Sequence, residues 1–247
     1  MLGLEKMGNL EVLTETYHSL SLEQGLRQLS LDFPGKVVFT TSFGLEDQAI
    51  THAILTNQIE IRIATLDTGR LFQETYDVWQ KTNIRYGAKI EAFYPNEKEI
   101  QNFVEQNGPN AFYDSLDLRK ECCRIRKLVP LDAILKDKEV WVTGLRKDQS
   151  GFRTEMSIFE SDPQRNLIKY QPLLLWSFED TWKYIREHNV PYNLLHDRGF
   201  PSIGCAPCTR AIEPGEDFRA GRWWWEQESK KECGLHWVDG KLTPKKG

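Results

Sequence analysis

A chain of 247 residues allows one large domain or two small ones. Its 40% hydrophobic and 28% charged residues, with eight Trp, eight Tyr and twelve Phe, supply a real core and exclude wholesale disorder. A net charge of −4 argues against a nucleic-acid partner, and no apolar run reaches the roughly 18 residues that a membrane span needs. The N-terminus Met1-Leu-Gly-Leu-Glu-Lys does not read as a secretory signal, so a cytoplasmic protein is expected.

Residues 1–34 read as a helical lead-in, with Leu20, Leu22, Leu26 and Leu29 apolar and Phe33-Pro34-Gly35 closing it. Residues 36–41 have strand character, followed by a loop from Ser42 to Gln48 and a helix to about Asn57. A second strand over 61–66 ends in Asp67-Thr-Gly-Arg70, and a helix follows to about Tyr86. A third strand is predicted over 89–94, and a fourth over 139–143 that leads into Gly144-Leu-Arg-Lys-Asp148. Residues 177–188 form a further helix, with Ser177 and Asp180 at its start. The alternation predicts an α/β fold with a mainly parallel sheet flanked by helices. The expected organisation is a lead-in over 1–34, a nucleotide-binding α/β domain over 35–190 and a loop-rich C-terminal extension over 191–247.

Ligands of open parallel sheets bind beyond the carboxyl ends of the strands. Three polar loops follow strands here: Ser42–Gln48, Asp67–Arg70 and Gly144–Asp148. Ser42 and Gly44, at a strand-to-helix turn, suit the approach of an anion to backbone N–H groups, and an ordinary capped helix start suits them equally. The loop lacks G-x-x-x-x-G-K-[ST], which favours a nucleotide smaller than ATP. Residues 119–153 hold ten Lys or Arg against five Asp or Glu. Of these, Arg146, Lys147 and Arg153 lie just past a strand end, where guanidinium groups suit a phosphate or sulfate.

Five cysteines fall as an adjacent pair, Cys122 and Cys123, a C-x-x-C of Cys205 and Cys208, and Cys233 alone. Neighbouring residues on a helix diverge by about 100°, which suits one tetrahedral zinc poorly. A larger cube accepts diverging thiolates more easily, and four thiolates match a [4Fe-4S] cluster. A strained zinc site, a Cys-Ala-Pro-Cys redox pair and packed free thiols remain open on spacing alone. Cys233 sits in Lys230-Lys-Glu-Cys-Gly-Leu-His236, where cations can favour a nucleophilic thiolate and Glu232 opposes them.

These segments resemble the assimilatory adenylyl-sulfate reductases of the phosphoadenylyl-sulfate reductase family. The resemblance runs from about Gly35 to Trp237. It rests on Ser42-Phe-Gly-Leu-Glu-Asp-Gln48, Leu66-Asp-Thr-Gly-Arg70, Cys122-Cys-Arg-Ile-Arg-Lys127, Val142-Thr-Gly-Leu-Arg-Lys-Asp-Gln-Ser150, Gly204-Cys-Ala-Pro-Cys208 and Arg219-Ala-Gly-Arg-Trp-Trp-Trp-Glu226 through Lys231-Glu-Cys-Gly-Leu-His236.

The resemblance implies an adenine-nucleotide α-hydrolase-like fold and reduction of adenylyl sulfate to sulfite and AMP. It implies an S-sulfocysteine on Cys233, with thioredoxin or glutaredoxin as reductant. A [4Fe-4S] cluster would be held by Cys122, Cys123, Cys205 and Cys208. Lys127, Arg219, Arg222 and His236 would act beside Cys233. Substrate contacts would come from Ser42, Phe43, Gly44, Glu46, Asp47, Leu66, Asp67, Thr68, Gly69, Gly144, Arg146, Lys147 and Arg153. A homo-oligomer is expected. No thioredoxin-like segment follows Cys233, so the reductant is expected from outside. The alternatives are the same chemistry on 3′-phosphoadenylyl sulfate and, more remotely, a tRNA-thiolating ATP pyrophosphatase. The latter would carry Ser-Gly-Gly-x-Asp-Ser where this chain has Ser-Phe-Gly-Leu-Glu-Asp.

Overall fold

In the computed structural model, which describes residues 2–149 and 156–226 with side chains from Leu10 onward, six strands form one sheet. The strands are β1 (Val37–Thr41), β2 (Arg62–Leu66), β3 (Glu91–Phe93), β4 (Val140–Val142), β5 (Phe159–Asp162) and β6 (Leu167–Tyr170), ordered β3-β2-β1-β4-β6-β5. All neighbours run parallel except the edge pair β5 and β6. The mainly parallel sheet read from the sequence is therefore observed.

Alternate residues of the central strands serve opposite faces, as the period of two requires. Val37 and Phe39 enter the larger core, with Leu22, Leu26 and Leu29. Val38 enters a second core with Leu131, Ile134 and Trp141. A sheet covered on both faces explains why β1 is buried almost throughout.

The lead-in is two helices, α1 (Leu2–Tyr17) and α2 (Leu22–Asp32). They part at Ser21, whose hydroxyl accepts from the Gln24 N–H while the Gln24 side chain accepts from the Ser21 N–H. This reciprocal cap starts a helix and so breaks the preceding one. Next come α3 (Leu45–Thr56) and α4 (Gln73–Tyr86), as expected, and then α5 (Glu97–Asn107). The following helix, α6 (Leu116–Cys123), continues through a π turn over Arg124–Leu128 into α7 (Val129–Leu135). Pro130 lies near the start of α7, and its missing N–H and its ring disfavour normal bonding to residue 126. The wider π turn relieves that conflict.

The last helix, α8 (Phe178–Glu187), has a reciprocal cap between Ser177 and Asp180, at the predicted place. The hairpin of β5 and β6 was not foreseen. Its core-facing Lys169 breaks the apolar pattern and is buried against Asp162 at 3.2 Å. No helix among the described residues is long and apolar enough to cross a membrane.

Behind the sheet, His52 of α3 meets the Tyr86 hydroxyl at 2.8 Å and stacks near His188 at 5.0 Å. Burial first, then the charges of His188 and Arg85, push His52 down to about 4 from its ordinary 6.5, against the pull of Glu23. A histidine depressed on folding binds its proton better in the unfolded chain, so folded stability falls as pH drops from about 6.5 through 4. Thermal unfolding between pH 7 and pH 4.5 should show a falling Tm, and His52→Gln should flatten that slope. An unchanged slope in the variant would show that His52 does not carry it.

Candidate active site

The order β2-β1-β4 places the carboxyl ends of three neighbouring parallel strands side by side. A cleft of about 220 Å³ opens there. Its walls include Ser42, Phe43, Gly44, Glu46 and Asp47 from the first loop, Leu66 and Thr68 from the second, and Gly144 from the third. Lys127, Arg219 and Arg222 line it as well, so these eleven predicted residues meet at one place. Asp67, Gly69, Arg146 and Lys147 are absent from the cleft wall. Arg153, Cys233 and His236 lie outside the described residues.

The first loop holds itself together with a carboxylate. Asp47 accepts from the Ser42 N–H at 2.6 Å and from the Ser42 hydroxyl at 2.7 Å. Burial pushes the Asp47 carboxyl up to about 6, although both Ser42 hydrogen bonds oppose this and the Glu46 charge adds to it. The Ser42 N–H is thus engaged inside the loop. The N-cap residue of α3, Gly44, supplies no side-chain hydrogen bond, so the helix start faces the cleft without a side-chain cap.

Arg146 lies behind the cleft wall, with its Nη2 buried and without a hydrogen-bond partner among the described residues. It is fully buried, its Nε donates to Glu46 at 2.7 Å, and it also pairs with Asp148. Its guanidinium lies 5.4 Å from the Phe178 ring centroid and 5.6 Å from that of Phe218. Arg146 therefore neutralises and fixes Glu46, which does line the cleft.

Asp67 and Gly69 shape the second loop in the same indirect way. Asp67 accepts from the Gly69 N–H and from the Tyr76 hydroxyl, each at 2.8 Å. This turn aims Thr68 across the cleft, where its hydroxyl meets Cys205 Sγ at 3.3 Å. The Thr68 carbonyl accepts from Arg126 at 2.6 Å.

Beside the cleft is a pit of about 20 Å³ lined by Cys122, Cys123, Cys205 and Cys208 together with Arg126, Lys127 and Trp223. Two chain features bring the thiols there. The adjacent pair ends α6, and Cys205 caps and Cys208 ends a single 3₁₀ turn over Ala206–Cys208. Lys127 and Cys205 line both cleft and pit.

The thiols are electrostatically unequal. Burial would raise Cys205, but Lys127, the Thr68 hydroxyl, Arg222 and Arg126 outweigh it and hold the group below its ordinary value. Cys208 is pushed up to about 12, by burial first and then by Cys205, with Cys123 adding to it. Cys122 is also raised, chiefly by burial. Four thiolates cannot share this pit without added positive charge.

Two buried donors at the pit, Arg126 Nε and Trp223 Nε1, have no hydrogen-bond partner among the described residues. A group rich in sulfur acceptors suits them. No three His, Cys, Asp or Glu among the described residues converge as a site for one metal ion. The four thiols and these two free donors are compatible with a thiolate-held group.

The cleft also uses residues that sequence reasoning passed over. Trp141, read only as a strand residue, reaches the wall and donates from Nε1 to Thr40 at 2.8 Å. Thr143, Gln149, His196 and Phe218 join it. Thr143 follows Val142 at the strand end, which is a usable signal. His196 has none, because the chain returns to the cleft through irregular structure.

The phosphoadenosine phosphosulfate reductase domain model matches residues 36–211. The chain belongs to that family. A relative from Agrobacterium fabrum, adenosine 5′-phosphosulfate reductase, is 50% identical over 210 residues, covering 85% of this chain and 81% of the relative. The crystal structure of phosphoadenylyl-sulfate reductase from Candida auris, a phosphate complex, matches with a TM-score of 0.71 at 28% identity. It covers 82% of this chain and 96% of that one. Candida glabrata FMN adenylyltransferase shares the fold at a TM-score of 0.50 and 15% identity, over 83% of this chain and 73% of its own. The adenine-nucleotide α-hydrolase-like fold expected from the sequence is thus the one observed.

Gly144 permits the closest approach in the cleft. A Cβ there would collide with the Asp47 carboxylate. Gly144→Ala should therefore push Asp47 off Ser42 and weaken binding of AMP by about tenfold or more, a loss of about 1.4 kcal/mol. Calorimetric titration checks this, and wild-type affinity in the variant would contradict it.

Proposed function

We propose that this chain reduces adenylyl sulfate to sulfite and AMP in sulfate assimilation. The observation that carries the reading is the wall of Lys127, Arg219 and Arg222 on a cleft at the strand ends. The roughly 50% identity to adenosine 5′-phosphosulfate reductases supports it. A phosphosulfate brings negative charge to the reacting sulfur, and a thiolate attacking it brings more. Cations already in place at that end of the cleft stabilise the charge that both share in the transition state.

In the proposed first step the Cys233 thiolate attacks the sulfur of adenylyl sulfate. An S–S bond forms, the S–O bond to the phosphate breaks, and AMP leaves with the electron pair. A dithiol of thioredoxin or glutaredoxin then attacks the Cys233 sulfur. Sulfite departs, Cys233 returns to the thiol, and the dithiol ends as a disulfide. His236 and Arg153 are proposed to assist at the reacting sulfate.

Cys122, Cys123, Cys205 and Cys208 would hold a [4Fe-4S] cluster, which when bound supplies positive charge to the thiolates and ties α6 to the C-x-x-C turn. The chain's own cations reach across: Lys127 faces both the pit and the cleft. The roughly 50% identity to relatives named adenosine 5′-phosphosulfate reductase supports adenylyl sulfate over its 3′-phosphorylated form.

Mixing reduced protein with adenylyl sulfate and no reductant should give one equivalent of AMP and a sulfonate on Cys233 by peptide mass analysis. Cys233→Ser should form no adduct, because an alkoxide is far harder to generate than a thiolate. An adduct on Cys205 or Cys208, or turnover by Cys233→Ser, would overturn the mechanism. In steady state kcat/KM should favour adenylyl sulfate; a higher value for 3′-phosphoadenylyl sulfate would reverse the substrate assignment.

A further inference from the structure

The last described turn is fastened by an ion pair that is almost fully enclosed. Arg119, in the middle of α6, donates from Nε to Glu226 at 2.9 Å and from Nη2 at 2.8 Å. The two side chains are only 1% and 8% exposed. A paired fork of this kind fixes direction as well as distance.

The pair does not act alone. The Arg119 guanidinium lies 4.6 Å from the Trp223 ring centroid, and that of Arg222 lies 4.7 Å from the same ring. Trp223 thus links the buried pair to a cation of the cleft wall. The turn has further attachments: Arg222 donates to the Ser202 hydroxyl and the Ile203 carbonyl at 3.3 Å each, and the Trp225 ring lies 4.5 Å from that of Tyr113. Trp223 N–H donates to the Cys208 carbonyl at 3.1 Å, and Arg210 N–H to Gly221 at 3.0 Å. A Cβ on Gly204 would strike the Arg222 guanidinium, so that cation sits in a place closely fitted to it.

A buried ion pair contributes little net stability compared with an apolar pair, but it imposes one arrangement.

We propose that Arg119 and Glu226 are a positioning pair for sulfur transfer: they hold Trp223 in place and through it orient Arg222 at the cleft wall. This rests on the reductase reading above. Neither residue lines the cleft, although Arg119 lines the neighbouring pit and bonds Cys123, so the pair acts on the cleft through Arg222, and its loss falls on the reaction step and not on nucleotide affinity.

The test is Glu226→Gln, with Glu226→Asp as the milder variant, in anaerobically prepared full-length protein. Cys233 adduct formation in a single turnover should slow on the order of 10- to 100-fold in Glu226→Gln, as expected for displaced reacting groups, and less in Glu226→Asp. The dissociation constant for AMP should move less than about threefold, because the strand-end loops are intact. Visible absorbance and iron content should match wild type. Adduct formation at the wild-type rate in Glu226→Gln would overturn the proposal. So would a parallel loss of AMP binding, iron and rate in both variants, which would assign the pair to stability alone. Wild-type protein run alongside separates the failures: no adduct there defeats the reductase reading itself, and this inference with it.

Discussion

Everything at this site answers one electrostatic constraint. Four thiols and the wall of an anion-binding cleft crowd around one small set of cations. Cys208 shows the problem directly, since Cys205 and Cys123 drive its thiol further toward neutrality on top of burial. Cys205 shows the remedy, being lowered despite complete enclosure by Lys127, Thr68, Arg222 and Arg126. The same Lys127 and Arg222 line the cleft. Positive charge serving two neighbouring anionic sites ties them together, because moving a cation toward one weakens its hold on the other.

The fold meets this constraint with local irregularity in the right places. Pro130 disfavours regular helical bonding, and the π turn before it carries Arg126 and Lys127 to the pit that Cys122 and Cys123 reach from the preceding helix end. The Asp67 turn gives Thr68 a position from which its hydroxyl meets Cys205 and its carbonyl holds Arg126. A bare glycine at 204 leaves room for the Arg222 guanidinium. Carboxylates are kept at the first loop, where Arg146 balances Glu46 and Ser42 occupies Asp47. The cleft is thus polarised, with acid at the start of α3 and base across from it.

Much of this could be read from residue order alone. β1 and β2 announced themselves as apolar runs ending in polar loops, and α8 by Ser177 with Asp180. Spacing alone left a zinc site, a redox pair and free thiols open, and it was the family resemblance that implied one site for Cys122, Cys123, Cys205 and Cys208, which line one pit. What escaped was set by tertiary context. Lys169 looks wrong for a buried strand until Asp162 is placed beside it. Sequence order gives no sign that Glu46, a hundred residues earlier, holds Arg146 through its Nε. His196 and Trp141 reach the cleft only because of how distant segments fold back.

The most direct measurement of shared charge between pit and cleft is on Lys127→Met in anaerobically prepared protein. One sample gives both the visible absorption of the group proposed for the four thiols and the rate of AMP release from adenylyl sulfate in a single turnover. If one lysine serves both sites, the spectrum shifts and the release slows on the order of 100-fold, about 2.7 kcal/mol, together. A variant with the wild-type spectrum and slow release, or an altered spectrum and wild-type release, would contradict the account.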